Sequence, residues 1–272
     1  MEEFNFIDEF TQQMKDKDIN VVGVISKNKK IYTLGTDSKL IGRVFEMVCQ
    51  PIIDSIALNH GLKVKTPPHQ NYYPDFILED PIDHKKIAID VKSTYRSSKR
   101  KKVSFTLGAF SSFMRDNQKN LVGFYTDYQK HYVIGFIYRR NAEAQYSQEI
   151  SIEGLDEIPC PFILEDFFVQ EKYKIAGEKK GSGNTDNIGS IKTDKISDFK
   201  DGCGPFSVLG ENLFHLYWTN YPTNTERNKR FGDLKTFYKA LKDGLVLEPY
   251  LYDLDYESLL KQLSDYFEEE LK

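Results

Sequence analysis

The sequence predicts an α/β (α+β) fold arranged around a mixed sheet, and three observations predict it. Short β-branched and aromatic runs with period-two alternation recur through the first two thirds of the chain, while amphipathic helical patterns stand at both ends. The 272 residues can bury a substantial core. No internal repeat is evident, and nothing reads as a linker long enough to separate independent units.

The elements follow in order. Residues 3–15 read as a helix. Val21-Val22-Gly23-Val24-Ile25 and Ile31-Tyr32-Thr33-Leu34 read as a strand pair joined by the polar turn at residues 26–30. A long helix starts from an Asp37 or Ser38 cap and is expected to bend where Pro51 removes a backbone donor. A hairpin comes next: Pro74-Asp75-Phe76-Ile77-Leu78 is one strand, opening at Pro74, and residues 86–92 are the other. Glu79-Asp80-Pro81-Ile82-Asp83-His84 forms the turn between them. Strands are expected around residues 103–107 and 132–138. Helices dominate after Gly210, including residues 234–241 and the acidic stretch 256–271.

Composition narrows the function. No run of about 18 apolar residues is present to span a membrane. The N-terminus Met1-Glu2-Glu3-Phe4 lacks the basic start and apolar stretch of a secretory signal. Cys49, Cys160 and Cys203 form no motif, so a reducing cytoplasm is the natural compartment. The five histidines are scattered, which argues against zinc. A formal charge of −4 argues at first against a nucleic-acid partner, because non-specific DNA affinity comes mainly from phosphate neutralisation. The distribution answers this. Residues 246–272 carry eight acidic side chains against Lys261 and Lys272, which leaves the rest of the chain net positive. Lys92, Arg96, Lys99, Arg100, Lys101 and Lys102 form a basic stretch suited to gripping a phosphate backbone.

The hairpin carries the chemistry. Successive strand side chains point to opposite faces, so Asp90 and Lys92 share one face while Ile89 and Val91 share the other. In the simplest register Asp75 sits near Asp90 and Lys92, and two carboxylates converge with one ammonium. Magnesium takes hard oxygen ligands and is usually held by one or two carboxylates plus substrate phosphate. Asp75 and Asp90 suit that task, with the Val91 carbonyl as a third oxygen. Lys92 is placed to orient or deprotonate water and to stabilise charge in phosphodiester hydrolysis. Glu46 interrupts an apolar helical face, and a carboxylate there needs a partner. Two are open to it: Arg43, one turn earlier, or a second metal ion.

Four blocks extend the pattern: Gln70-Asn71-Tyr72-Tyr73-Pro74-Asp75-Phe76; Ile87-Ala88-Ile89-Asp90-Val91-Lys92-Ser93-Thr94-Tyr95; Phe105-Thr106-Leu107-Gly108; and Ile175-Ala176-Gly177 with Gly181-Ser182-Gly183-Asn184-Thr185-Asp186-Asn187-Ile188-Gly189-Ser190. In this order the chain resembles the EcoRV family of type II restriction endonucleases, in the PD-(D/E)xK superfamily, from the first helix to about residue 230. The resemblance implies a restriction-endonuclease-like core, a mixed five-stranded sheet flanked by helices. It implies Asp75, Asp90 and Lys92 as the catalytic set, Glu46 as a carboxylate near the metal, and Mg2+ as cofactor. Gly181, Gly183, Asn184 and Thr185 fall in the loop that reads base edges. Gln70 and Asn71 fall in a loop near the minor groove and backbone, and Lys39, Thr94, Ser112, Lys119 and Arg227 where backbone contacts are expected.

The chemistry of that loop agrees. Asn can pair bidentately with adenine and a Thr methyl can touch thymine, while glycines let the main chain approach closely. One departure stands out: the family has a second Thr after Thr185, where this chain has Asp186, and phosphates repel a carboxylate. The resemblance further implies a homodimer cutting both strands of palindromic double-stranded DNA at GATATC, bluntly at the centre with 5′-phosphate ends. A DNA methyltransferase is implied as functional partner. Residues 1–245 are expected to form the nuclease domain, with N-terminal dimerisation elements and the recognition loop at 181–190, and residues 246–272 an acidic helical extension. Two rivals remain: a repair or recombination nuclease on the same core, and a catalytically silent DNA-binding module.

Overall fold

The computed structural model describes residues 4–181, 186–226, 230–247 and 255–270. Helix α1 (Phe6–Lys15) is capped by Asn5, whose side chain accepts from the Asp8 amide, and it buries Phe6, Phe10 and Met14 at four-residue intervals. Strands β1 (Gly23–Ile25) and β2 (Lys30–Thr33) pair antiparallel, and β8 (Glu149–Ser151) joins the far side of β2. Helix α2 (Ser38–Asn59) is capped by Asp37, which accepts from the Lys39 and Leu40 amides, and runs on through Pro51.

The main sheet has five strands: β3 (Lys63–Lys65), β4 (Phe76–Glu79), β5 (Lys86–Tyr95), β7 (Tyr128–Arg140) and β9 (Phe162–Glu171). Only β5 and β7 run parallel among these neighbours, so the sheet is mixed as expected. A parallel pair needs a long crossover. Here it contains β6 (Thr106–Ala109), a π-helical turn at Phe110–Met114 and a 3-10 turn at Tyr125–Asp127. Strand β6 pairs with β11 (Asn187–Ser190), and β11 pairs with β10 (Ala176–Lys180), in a third sheet. The short helices α3 (Lys172–Ile175), α4 (Ser197–Lys200) and α5 (Pro205–Leu209) precede α6 (Glu211–Asn220), α7 (Leu234–Lys242) and α8 (Tyr256–Glu270).

Two cores sandwich the sheet. Ile87, Ile89 and Val91 of β5 pack with α1 and α2 residues such as Phe45, whose ring stacks on Phe136 at 4.3 Å. Ala88 points the other way, into the core built by β6, α5, α6, α7 and α8. Each large apolar side chain fully buried there is worth ~1.5–3 kcal/mol. Helix α8 packs on α5 and α7 and buries Leu259 and Leu263, so the C-terminal stretch shares the second core.

Several expected boundaries move, for local reasons. The first strand of the hairpin starts at Phe76 rather than Pro74, because Pro74 has no N–H and Asp75 engages β5 through its carboxylate instead. The strand expected at residues 103–107 becomes β6 at Thr106–Ala109. Val103 makes only an isolated bridge to Thr193, and the Phe105 amide donates to the Ser190 hydroxyl at 2.8 Å rather than to a ladder carbonyl. No described helix is long and apolar enough to cross a membrane.

Candidate active site

Strand pairing assembles the site. Phe76 lies opposite Ile89, which sets Asp75 at the end of β4 beside Asp90. Asp75 Oδ2 accepts from the Val91 amide at 2.7 Å, so the backbone of β5 pins that carboxylate. Lys92 Nζ lies 2.7 Å from Asp90 Oδ1 and 4.0 Å from Asp75 Oδ2, and donates weakly to the Val91 carbonyl at 3.4 Å. Asp90 is 3% exposed, and its Oδ2 has no hydrogen-bond partner among the described residues. A buried carboxylate oxygen without a donor is costly, which is the state expected of an atom waiting for a cation.

The charges act on one another. Burial pushes the Asp75 carboxyl up to about 7; Lys92 pulls it down, while Asp90 and Glu46 push it further up. Burial works against the Lys92 ammonium, but the Asp90, Asp75 and Glu46 carboxylates outweigh it and hold its pKa above the ordinary value. Glu46 makes an ion pair with Arg43, one turn earlier on α2. Among the described residues no group of three or more His, Cys, Asp or Glu side chains is poised around one ion. The hard oxygens that could hold an ion are those of Asp75 and Asp90 with the Val91 carbonyl beside them, and the Glu46 carboxylate is close enough to raise the Asp75 pKa.

Two adjoining recesses surround this centre. A cleft of about 260 Å³ is lined by Gln70, Asn71, Asp75, Asp90, Lys92 and Ser112, with Asn120 and Asn187. A wider one of about 700 Å³ is lined by Lys39, Arg43, Glu46, Gln70 and Asp75. Seven of the expected residues therefore meet around Asp75, and Glu46 and Lys39 reach it from α2. Thr94 lies on the same face of β5 as Asp90 and Lys92, and is buried. Lys119 is exposed, one residue before Asn120. Gly183, Asn184, Thr185 and Arg227 lie outside the described residues.

Gly181 is needed for close packing: a Cβ there would lie 2.7 Å from the Thr106 methyl. Asp186 turns towards Lys180 and Asn224. Of the basic stretch, Arg96 is engaged by Glu165 and the Asp194 carbonyl, whereas residues 99–102 are exposed.

Sequence reasoning missed the support behind the site. Tyr73 is buried, with its hydroxyl 2.7 Å from His131 Nδ1 and its ring stacked on Phe113. Lys172 lies 3.7 Å over that ring, 1% exposed. Nothing local marks it, since Lys172-Tyr173-Lys174 has the composition of a solvated surface segment. Burial, then Lys172, then His215 hold His131 well below the usual histidine range, so its imidazole is neutral.

The class that this mixed sheet and its acidic cleft define is that of the restriction endonucleases. Comparison with known proteins narrows it. The EcoRV restriction endonuclease family matches residues 15–242. The type II restriction enzyme EcoRV of Escherichia coli is 42% identical over 228 residues, covering 83% of this chain and 92% of that protein. The chain belongs to the EcoRV family and is a type II restriction endonuclease. Among solved structures, NlaIV restriction endonuclease aligns over 98% of this chain and 88% of its own, at 10% identity and a TM-score of 0.38.

Proposed function

We propose that this endonuclease is a homodimer that hydrolyses both strands of double-stranded DNA at GATATC with magnesium, leaving blunt 5′-phosphate ends. The observation that carries the reading is the convergence of Asp75 and Asp90 on Lys92, in a cleft shared with Gln70, Asn71 and Ser112. Asp75, Asp90 and the Val91 carbonyl would hold the ion, with the Glu46 carboxylate near it. When bound, it supplies Lewis-acid polarisation of the scissile phosphate and lowers the pKa of a coordinated water.

The protein's own groups do the rest. Attack of a water oxygen on phosphorus, with loss of the 3′-oxygen, leaves the phosphate on the 5′ side. Lys92 is held protonated by its carboxylate neighbours, which favours charge stabilisation over proton removal as its role. Gln70, Asn71, Lys39, Ser112, Thr94, Lys119 and Arg227 would meet the backbone or minor groove. Gly181, Gly183, Asn184 and Thr185 would meet base edges in the major groove. An isologous dimer offers each half of a palindrome the same surface, and β1, β2 and α2 are its candidate elements. Flexible TA steps at the centre would ease the bending that brings phosphate to the cleft. Protection of the host's own sites would fall to a DNA methyltransferase.

Digestion of a plasmid with magnesium, followed by sequencing of the fragment ends, tests activity, site and cut position together. Blunt ends at the centre of GATATC are expected. Discrete cuts at another sequence would overturn the site, and structure-dependent nicking would favour a repair or recombination nuclease. No cleavage with magnesium or manganese would favour a silent binding module.

A further inference from the structure

Asp186 follows the base-reading segment and stands where a family threonine would. Its Oδ1 accepts from Lys180 Nζ at 3.2 Å and from the Asn224 amide at 2.9 Å. Lys180 Nζ also donates to Asn224 Oδ1 at 2.7 Å and to the Pro222 carbonyl at 3.2 Å. Lys180 and Asp186 are thus the entry and exit of the loop, joined to each other and to one outside segment. The loop's feet are tied again through the main chain: Gly181 N donates to the Asn187 carbonyl at 3.0 Å, and Phe110 N to the Asp186 carbonyl at 2.9 Å.

The outside segment is itself held from the cleft side. Arg115 closes the π-helical turn that carries Ser112. Its guanidinium donates to the Thr219 carbonyl at 3.0 Å, the Tyr221 carbonyl at 2.6 Å and Glu226 Oε1 at 2.8 Å. The loop's feet, residues 219–226 and the cleft-lining turn are therefore bolted together by charge-assisted bonds, which are stronger and more directional than neutral ones.

We propose that Asp186 is a positioning residue for sequence discrimination: with Lys180 it clasps the recognition loop to residues 222–224, and does not itself read a base. The proposal rests on the loop's base-reading role proposed above. It accounts for a carboxylate so close to DNA, because the Lys180 ammonium offsets its charge and the bonds from Lys180 and the Asn224 amide turn it towards residues 222–224. A loop fixed at both feet pairs poorly with every wrong site, so loosening it should relax discrimination at all positions alike. A base contact would relax only one.

The test is a double-mutant cycle read on discrimination. Wild type, Asp186→Ala, Lys180→Met and the double variant are compared for kcat/KM on the cognate site and on every site differing by one base pair, with thermal melts to confirm folding. Each single change should lower discrimination about 10-fold at all positions, and the double should lose little more than the worse single, as coupled neighbours do. Asp186→Asn, which keeps an oxygen for the Asn224 amide, should fall between and serves if the alanine variant does not fold. A shifted preference at one base pair with Asp186→Ala alone would make Asp186 a base reader and overturn the clasp. So would discrimination kept within about twofold in both singles, or additive losses in the double. If the wild type cuts no discrete site, the proposed function fails first, and the clasp with it.

Discussion

Replacing Lys172 with Met should stabilise the protein at pH 7 and remove part of its pH dependence. Lys172 is 1% exposed, and its Nζ has no hydrogen-bond partner among the described residues. Burial lowers its pKa from 10.5 to about 7; Asp90 resists this, Lys92 adds to it and Asp75 resists again. The unfolded chain holds the proton up to about pH 10.5, whereas the folded chain has half released it at about 7. Between these values the unfolded state binds more protons, so stability rises with pH.

At ~1.4 kcal/mol per pH unit, this one group costs the fold ~4 kcal/mol at pH 7 and ~1.5 kcal/mol at pH 9.5, a rise in stability of ~3 kcal/mol. Met fills a similar volume without charge, and forfeits ~1–2 kcal/mol of cation–π attraction to Tyr73. The variant should therefore be more stable than wild type by ~2–3 kcal/mol at pH 7 and by only ~1.5 kcal/mol at pH 9.5, where the folded Lys172 is a neutral amine with no cation–π attraction left to lose. Urea unfolding of both metal-free proteins at the two pH values measures this. Parallel pH profiles, or a variant weaker at pH 7, would refute the claim that an unpaired ammonium sits under the cleft.

Three further outcomes are expected. Asp90→Ala should abolish cleavage of plasmid DNA while leaving site-specific binding, measured by gel shift in calcium, partly intact; undiminished turnover would refute the metal-site assignment. Asn184→Ala should lose ~1–3 kcal/mol of discrimination at one A·T pair, seen as faster relative cleavage of sites changed there. An unchanged cleavage pattern and rate would count against the recognition-loop role. Deleting residues 248–272 should leave site choice unchanged in end sequencing, yet lower the unfolding free energy by ~3–6 kcal/mol, because Leu259 and Leu263 are buried against the second core. An unaltered urea midpoint would show that α8 contributes no packing.

What was legible in the sequence was periodic or chemically marked. The alternation in β5, the Asp37 cap and the apolar face of α2 all follow from local patterns, and each appears where it is expected. Strands β9, β10 and β11 escaped because their alternation is masked. In Phe162–Glu171 the polar residues Glu165 and Asp166 meet Arg139, Arg96 and Lys200, so exposure there is set by ion pairs rather than by period two. Lys172 escaped for a related reason, as did the partners of Asp186, a residue the sequence had already marked out. A charged side chain looks the same in sequence whether water or a buried ring receives it; Tyr73 lies about a hundred residues from Lys172, and Asn224 about forty from Asp186, though Lys180 is only six away.

The central hairpin protects its own chemistry. In β5 one period-two pattern serves both purposes: Ile87, Ile89 and Val91 enter the α1 and α2 core, and Ala88, Asp90 and Lys92 face the other way. A slip of one residue would exchange the faces. It would drive Asp90 and Lys92 in among Phe45 and Phe136, at several kcal/mol for each ion before any pairing. It would also break the Asp75 bond to the Val91 amide, which exists in this register alone. The hydrophobic core thus enforces the separation of the two carboxylates and the lysine. Substitutions at Ile89 or Val91 that loosen the register should accordingly impair cleavage without touching a charged group.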